Sequence, residues 1–129
     1  VLALNLVAPL ALIQLVVPAM SRRGGGAVVN VSSATSNLVI PGLGAYAATK
    51  AALDRISLVA QRELAPLGIR VSLVHPGVTA TEFHQSLRAG EFRGRPNGPP
   101  PDPPELVAAA IAEAIRSGSG DLEAGGPSR

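Results

Sequence analysis

The sequence predicts an α/β domain, specifically part of a doubly wound parallel sheet. Two short apolar segments, residues 26–33 and 69–74, have the length and valine content of strands buried on both faces. Between them, residues 43–64 have the composition of a long helix, which Pro66 and Gly68 end. A strand, a helix and a second strand in this order form the unit from which parallel sheets are built.

The first twenty residues are apolar over nearly the length of a membrane span. Four residues interrupt the run, namely Asn5, Pro9, Gln14 and Pro18. A signal peptide begins with positive charges, whereas the nearest arginines here follow the apolar run. We therefore expect a buried or interface helix that does not enter a membrane, and the glycines at 24–26 end it ahead of the first strand.

Polar side chains follow both predicted strands. Ser32 and Ser33 end the first, and the second runs into the turn 75–81, which contains a Pro-Gly pair and two threonines. In open parallel sheets, ligands bind beyond the carboxyl ends of the strands, so these residues mark a candidate site. Each of them alone is also an ordinary turn or capping residue.

Tyr46 and Lys50 are the only tyrosine and the only lysine, and they lie four residues apart near the start of the long helix. Residues at this spacing share a helix face, where an ammonium favours the ionised form of a phenol. An unperturbed phenol titrates near pH ~10, so acid-base work near neutrality needs a pKa lower by roughly two to three pH units. We expect Lys50 to supply much of that depression. On the same helix we expect four buried positions, Ala51, Ile56, Val59 and Leu64.

The carboxyl-terminal third contains a loop, a helix and a tail. Residues 91–104 are rich in proline and predict a stiff loop. Asp102 is placed to cap the next helix, with Pro103 at the first helical position. Val107, Ile111 and Ile115 form one apolar stripe on this helix, and Gly118 ends it. We expect residues 118–129 to be frayed.

Taken in order, these motifs resemble the carboxyl-terminal half of a short-chain dehydrogenase/reductase. The matching residues are Asn5, the strand that ends at Ser33, Tyr46-x-x-x-Lys50 and the turn from Pro76 to Thr81. Tyr46 follows Ser33 by thirteen positions, which is the spacing usual in that family. The resemblance covers residues 1 to about 117. It implies a partial Rossmann-like sheet within one domain, 1–129, in which 91–104 forms the substrate lid.

The resemblance also implies an activity and roles for residues. The activity is NAD(P)-dependent hydride transfer between the nicotinamide and a carbonyl or secondary alcohol. Tyr46 would be the general acid-base group, Lys50 would lower its pKa, and Ser33 would hold the substrate oxygen. Asn5 would support a proton relay. The cofactor would be bound at its nicotinamide end by Tyr46, Lys50, Pro76, Gly77, Val78, Thr79 and Thr81.

The amino-terminal, phosphate-binding half of such a fold is not represented. No glycine-rich turn follows a first strand, and the glycines at 24–26 join a helix to a strand, which is the wrong order for a phosphate cradle. Gly42-x-Gly44-x-x-Ala47 matches a dinucleotide fingerprint only in letters, because a loop of about ten residues rather than a tight turn precedes it. The choice between NAD and NADP stays open.

Composition limits the remaining functions. The chain has no cysteine, which is compatible with a cytoplasmic protein, and its net charge is only +2. Its arginines are scattered without interleaved aromatic residues, so we expect no nucleic-acid partner. His75 and His84 lack partners at metal-ligand spacing, and we expect no metal. The family packs its first apolar helix between subunits, which implies a homodimer or homotetramer in the full-length form.

Two other functions are open at this point. The first is a short, non-catalytic protein that keeps the dimerising helices of the family. The second is a serine hydrolase that uses Ser33 and His75, although the Gly-x-Ser-x-Gly elbow of such enzymes is missing from the sequence.

Overall fold

The computed structural model describes residues 1–81, 100–118 and 121–124. These residues form a three-stranded parallel sheet in the order β1, β2, β3. The strands are β1 (Gly26–Val31), β2 (Ile69–Pro76) and β3 (Asp121–Ala124). The helices are α1 (Ala8–Arg22), which continues a π-helical turn (Ala3–Val7), then α2 (Gly44–Leu64) and α3 (Pro104–Ser117). Helix α2 is the crossover between β1 and β2, as the sequence predicted.

Helices cover both faces of this sheet. Alternate side chains of a strand point to opposite faces, and the side chains of Asn30 and His75 make polar contacts with α2. On the other face, Val74 and Ala114 form a fully buried core to which α3 contributes further apolar side chains. The doubly wound arrangement follows directly from this alternation.

The two predicted strands differ in burial. Five consecutive residues of β2, Val71–His75, are buried, because this strand has a neighbour on each side and helices on both faces. Strand β1 lies at the edge of the sheet, so it is mostly half-buried and Val31 is exposed. The prediction that both strands are buried on both faces is therefore wrong for β1.

The buried face of α2 is not the one that the sequence predicted. Its buried residues are Thr49, Leu53, Ser57 and Ala60, whereas Ile56 and Leu64 are half-buried and Ala51 and Val59 are exposed. Small side chains let the helix approach the sheet closely, and the bulkier residues lie on a second side towards α1. The apolar pattern was compatible with either side, and packing against the sheet decided between them.

Two predictions for the carboxyl-terminal third are also wrong. Residues 121–124 are not frayed, because they pair with β2 as the third strand. Helix α3 begins at Pro104 after Pro103, and Asp102 does not cap it. Instead, Asp102 forms an isolated parallel bridge with Thr79. In the predicted stripe of α3, Val107 and Ile111 are half-buried but Ile115 is exposed. The lid prediction for 91–99, the rest of the predicted tail (119–120 and 125–129) and His84 lie outside the described residues.

The first helix is largely exposed in the single chain. Ile13 is the one buried residue of α1, and several leucines of the helix face outwards. Among the described residues, one helical stretch, Ala3–Arg22, is long and apolar enough to cross a membrane by length and composition. The expectation of a buried or interface helix stays a prediction, because it concerns contacts beyond a single chain.

Candidate active site

A cleft of about 480 Å³ opens at the carboxyl ends of β1 and β2. It brings together most of the residues that the sequence singled out, and Lys50 is the only charged residue among the described ones that line it. The predicted site residues in its lining are Ser33, Tyr46, Lys50, Pro76, Gly77, Val78, Thr79 and Thr81. The position agrees with the rule that parallel sheets bind ligands beyond the carboxyl ends of their strands.

Ser33 lies in the cleft because it caps a short 3-10 turn, Ala34–Asn37, directly after β1. Its Oγ accepts hydrogen bonds from the Thr35 backbone amide at 3.2 Å and from Thr35 Oγ1 at 2.8 Å. The Ser33 side chain also hydrogen-bonds Tyr46. The neighbouring Ser32 hydroxyl is directed to α2 instead, where it donates to the Lys50 carbonyl at 3.4 Å. Of the two serines, Ser33 is the one bonded to the phenol.

Tyr46 lies in the first turn of α2 and is half-buried. Burial raises the pKa of its phenol above 10.0, and the hydrogen bond with Ser33 lowers it by a smaller amount. The predicted depression of the Tyr46 pKa is therefore wrong for the protein as described. The physical reason is that desolvation penalises the phenolate, and this effect is larger than that of the hydrogen bond with Ser33.

Lys50 is held by the end of β1. Its Nζ donates to the Val31 carbonyl at 2.9 Å, which occupies one of its three N–H groups. Burial lowers the pKa of Lys50 from 10.5, and the negative charge of Asp54 opposes that change. The ammonium thus faces the cleft with a fixed orientation and with hydrogen-bonding capacity left for a ligand.

Asn5 is the one predicted site residue outside the cleft lining. Its side-chain amide donates to Thr49 Oγ1 at 3.2 Å, and that hydroxyl donates to the Tyr46 carbonyl at 2.7 Å. Asn5 sits in the middle of the π-helical turn Ala3–Val7, a type of distortion that is frequent at functional sites. Its contact in this structure is with the helix that carries Tyr46 and Lys50.

The turn after β2 has a backbone brace. Asp102 N donates to the Val78 carbonyl and Ala80 N donates to the Asp102 carbonyl, both at 2.8 Å. The Thr79 hydroxyl bonds the Gly77 carbonyl at 3.3 Å, so it is engaged within the turn. A ligand in the cleft would meet this segment through its backbone and through the Val78 side chain.

One wall of the cleft was not predicted from the sequence. It is apolar and comes mainly from the connection between the 3-10 turn and α2, with Leu38, Ile40, Leu43 and, from α3, Val107. An apolar run in a connecting segment is unusual, because loops usually face water. That run, residues 38–40, was the signal in the sequence that could have identified the wall.

His75 is buried and points away from the cleft. Its Nε2 lies 3.1 Å from Asp54 Oδ2, and it is not among the residues that line the cleft. The Ser33 and His75 pair of a serine hydrolase is therefore not formed. Among the described residues there is also no group of three His, Cys, Asp or Glu side chains that could hold a metal ion.

The arrangement of a serine, a tyrosine and a lysine around one cleft agrees with a family-level match. A family model described as short chain dehydrogenase matches residues 1–91, which is more than half of the chain. The chain belongs to the short-chain dehydrogenase family. The chain has a Rossmann-like α/β fold with a parallel sheet, and this fold agrees with the family assignment.

Individual relatives and structures agree. The rat protein named dehydrogenase/reductase SDR family member 4 is 44% identical over 87 residues, which are 67% of this chain and 31% of the relative. A short-chain dehydrogenase from Burkholderia cenocepacia in complex with NADP superposes with a TM-score of 0.78 at 29% identity, covering 95% of this chain and 47% of that one. A short-chain dehydrogenase from Sphingobium yanoikuyae in complex with NADPH gives a TM-score of 0.80 at 29% identity, covering 95% and 46%. The chain thus spans about a third of the length of this relative and about half of the length of each solved structure.

Proposed function

We propose that this chain is the carboxyl-terminal, nicotinamide-facing part of an NAD(P)-dependent oxidoreductase that interconverts a carbonyl and a secondary alcohol. One observation carries the proposal: a single cleft contains the Ser33 hydroxyl bonded to the Tyr46 phenol, with the Lys50 ammonium on the same helix face. The other half of the fold, which binds the phosphates, would come from sequence outside these 129 residues.

The residues of the cleft fit the nicotinamide end of the cofactor. The turn from Pro76 to Thr81 offers a braced backbone, and the Lys50 ammonium has donors beyond the one that it gives to Val31. When bound, the nicotinamide supplies or accepts the hydride. The residues that would hold it are Tyr46, Lys50, Pro76, Gly77, Val78, Thr79 and Thr81. None of these side chains distinguishes NAD from NADP.

Tyr46 would exchange the proton with the substrate oxygen. Because burial keeps the pKa of its phenol above the ordinary value, Tyr46 is protonated at neutral pH and is a proton donor in this state. This protonation state is the one needed to reduce a carbonyl. Ser33 would bind the same oxygen through its hydroxyl, and its bond with Tyr46 sets the two groups on one atom of the substrate.

Asn5 would act through α2. Its bond to Thr49, and the bond from Thr49 to the Tyr46 carbonyl, fix the π-helical turn against the first turns of α2. We assign Asn5 the role of a positioning residue in any proton relay that leads from this site. The family match does not favour a non-catalytic interaction protein, and the retained serine, tyrosine and lysine would have no use in one.

The test is an assay of the protein expressed from its complete gene. Oxidation of NADH and of NADPH is followed at 340 nm with a panel of aldehydes and ketones. We expect Tyr46→Phe to reduce kcat at least a hundredfold, since positioned acid-base groups contribute roughly 10² to 10⁴ in rate. Ser36→Ala is the control, because it changes the 3-10 turn that Ser33 caps while the Ser36 hydroxyl has no hydrogen-bond partner among the described residues. No turnover with any carbonyl and either cofactor would refute the proposal.

A further inference from the structure

Asp54 lies one helical turn beyond Lys50 on α2. Tyr46, Lys50 and Asp54 therefore follow each other at intervals of four residues, which places them along one side of the helix. The Asp54 side chain is only 15% exposed and does not line the cleft. Removing a carboxylate from water costs on the order of several kcal/mol unless partners compensate it. The burial of the Asp54 carboxylate therefore requires partners that stabilise its charge.

The carboxylate of Asp54 has one close partner among the described residues, the imidazole of His75 on β2. Nε2 of His75 lies 3.1 Å from Oδ2, and the histidine side chain is 9% exposed. The other oxygen, Oδ1, is buried and has no hydrogen-bond partner in the part of the chain that the structure describes. A buried oxygen of this kind is stabilised by a nearby positive charge. The cation on the same side of α2 is Lys50.

The Lys50 ammonium is stabilised by the negative charge of Asp54. Burial lowers the pKa of Lys50, and Asp54 is the group whose charge acts against this change. The one hydrogen bond that the ammonium donates within the described residues goes to a neutral carbonyl, that of Val31. Asp54 is thus the counter-charge of the active-site lysine.

At four-residue intervals along this side of α2, the titratable residues are Tyr46, Lys50 and Asp54. Arg55 follows Asp54 in the chain but lines the α1–α2 cavity. The polar side chains that β1 and the π-helical turn direct to α2 include the neutral amides of Asn30 and Asn5. On β3, Glu123 stands opposite His75 in the strand register.

We propose that Asp54 and His75 are a positioning pair for this active site, in which the imidazole fixes the carboxylate on the side of α2 that carries Lys50 and the carboxylate is the counter-charge of the Lys50 ammonium. The proposal rests on the proposed function, because it concerns the lysine of that site. It also explains why the last buried residue of β2 is a histidine: the pair joins the strand that leads into the Pro76 turn to the helix that carries the phenol.

The experiment follows the titration of Lys50 in the complete protein labelled with [13C]lysine. The 13Cε resonance that is absent from Lys50→Arg is the one that reports it. Asp54→Asn is expected to lower the pKa of Lys50 by about half a pH unit or more, because the negative charge of Asp54 favours the charged form of the ammonium. Glu63→Gln removes a charge of the same sign from the same helix, on the side that lines the α1–α2 cavity, and should leave the titration unchanged. A folded Asp54→Asn variant that titrates like wild type overturns the proposal.

A second measurement needs no substitution at Asp54. His75→Leu removes the imidazole that contacts the Asp54 carboxylate. In this variant the Lys50 13Cε titration should shift from its wild-type position, because the carboxylate is no longer fixed. A folded His75→Leu variant in which Lys50 titrates like wild type overturns the proposal even if Asp54→Asn fails to fold.

Neither measurement uses cofactor or substrate, so the proposal and the proposed function fail separately. A complete protein without oxidoreductase activity refutes the proposed function, while the Lys50 titration still tests the pair. An active protein in which Asp54→Asn leaves Lys50 unchanged refutes the pair alone.

Discussion

Asn30 on β1 donates a hydrogen bond from its side-chain amide to the hydroxyl of Ser57 on α2, 2.8 Å away, and both residues are buried. Ser57 in turn donates to the Leu53 carbonyl at 2.8 Å. This chain of bonds joins the edge strand to the crossover helix at a point where the small serine also permits close packing. It therefore fixes the distance between Ser33, which follows β1, and Tyr46, which begins α2.

Ser57→Ala leaves the Asn30 amide buried with one donor unsatisfied. We expect the free energy of unfolding to fall by about 1–3 kcal/mol, the cost of a buried polar group without its partner. Urea denaturation followed by circular dichroism measures it. Ser117→Ala is the matched control, because Ser117 also donates to the carbonyl four residues earlier but is exposed. Equal losses in the two variants would contradict a special role for the Asn30 bond.

The strand–helix–strand order and most of the cleft could be predicted from the sequence, because chain order and spacing alone place Ser33, Tyr46 and the Pro76 turn at one edge of a parallel sheet. The burial of individual positions could not. In α2, the choice between Leu53 and Val59 depends on which side meets the sheet, and Asp121–Ala124 becomes a strand only through pairing with β2. The raised pKa of Tyr46 is a burial effect, and burial was not available from spacing.

The Tyr46 titration is observable as the part of the tyrosinate absorbance at 295 nm that is absent from Tyr46→Phe. We expect a pKa above 10.0, since burial outweighs the hydrogen bond from Ser33. Ser33→Ala removes the opposing effect, so the Tyr46 pKa should rise further, by about half a pH unit or more. Ser36→Ala in the same 3-10 turn is the control and should leave the titration in place. A lower pKa in Ser33→Ala would show that the hydroxyl does not stabilise the phenolate.

Stability at alkaline pH should depend on the same phenol. The pKa of Tyr46 is raised in the folded protein, so the unfolded chain loses the phenol proton first as the pH rises above 10.0. This deprotonation stabilises the unfolded state and lowers the free energy of unfolding. Wild type should therefore lose stability relative to Tyr46→Phe from about pH 10 upward until the folded phenol ionises, whereas the difference should be constant between pH 7 and 9. The lowered pKa of Lys50 acts in the opposite direction, with stability gained as the pH approaches 10.5, but it is present in both proteins. Urea midpoints across this pH range check the difference, and a constant gap up to pH 11 would contradict it.

The return from α2 to β2 requires glycine at position 68. Gly68 has φ +70°, and a Cβ there would lie 2.7 Å from the Gly24 carbonyl oxygen. Gly68→Ala should therefore cost more than the roughly 1–2 kcal/mol of left-handed backbone strain alone. Gly42→Ala isolates that strain, because Gly42 has φ +85° and open space around its Cα. We expect Gly68→Ala to unfold at a lower urea concentration than Gly42→Ala, and the reverse order would show that the contact with Gly24 relaxes easily.

The exposed apolar surface formed by α1 and α2 should be an interface with a second copy of the chain. The two helices enclose an apolar cavity of about 280 Å³ that opens to solvent, and Val59 on its edge is 47% exposed. A charge at this position would be buried without a partner in an oligomer but solvated in a monomer. Val59→Glu should therefore shift the protein towards monomer in sedimentation velocity without lowering its helix content. Val39→Glu, which adds the same charge at a fully exposed loop valine, should leave the oligomeric state as in wild type. If Val59→Glu sediments like wild type, this face is not the subunit interface, because a carboxylate buried between subunits without a partner would be costly. In that case another surface holds the subunits together or the chain is monomeric.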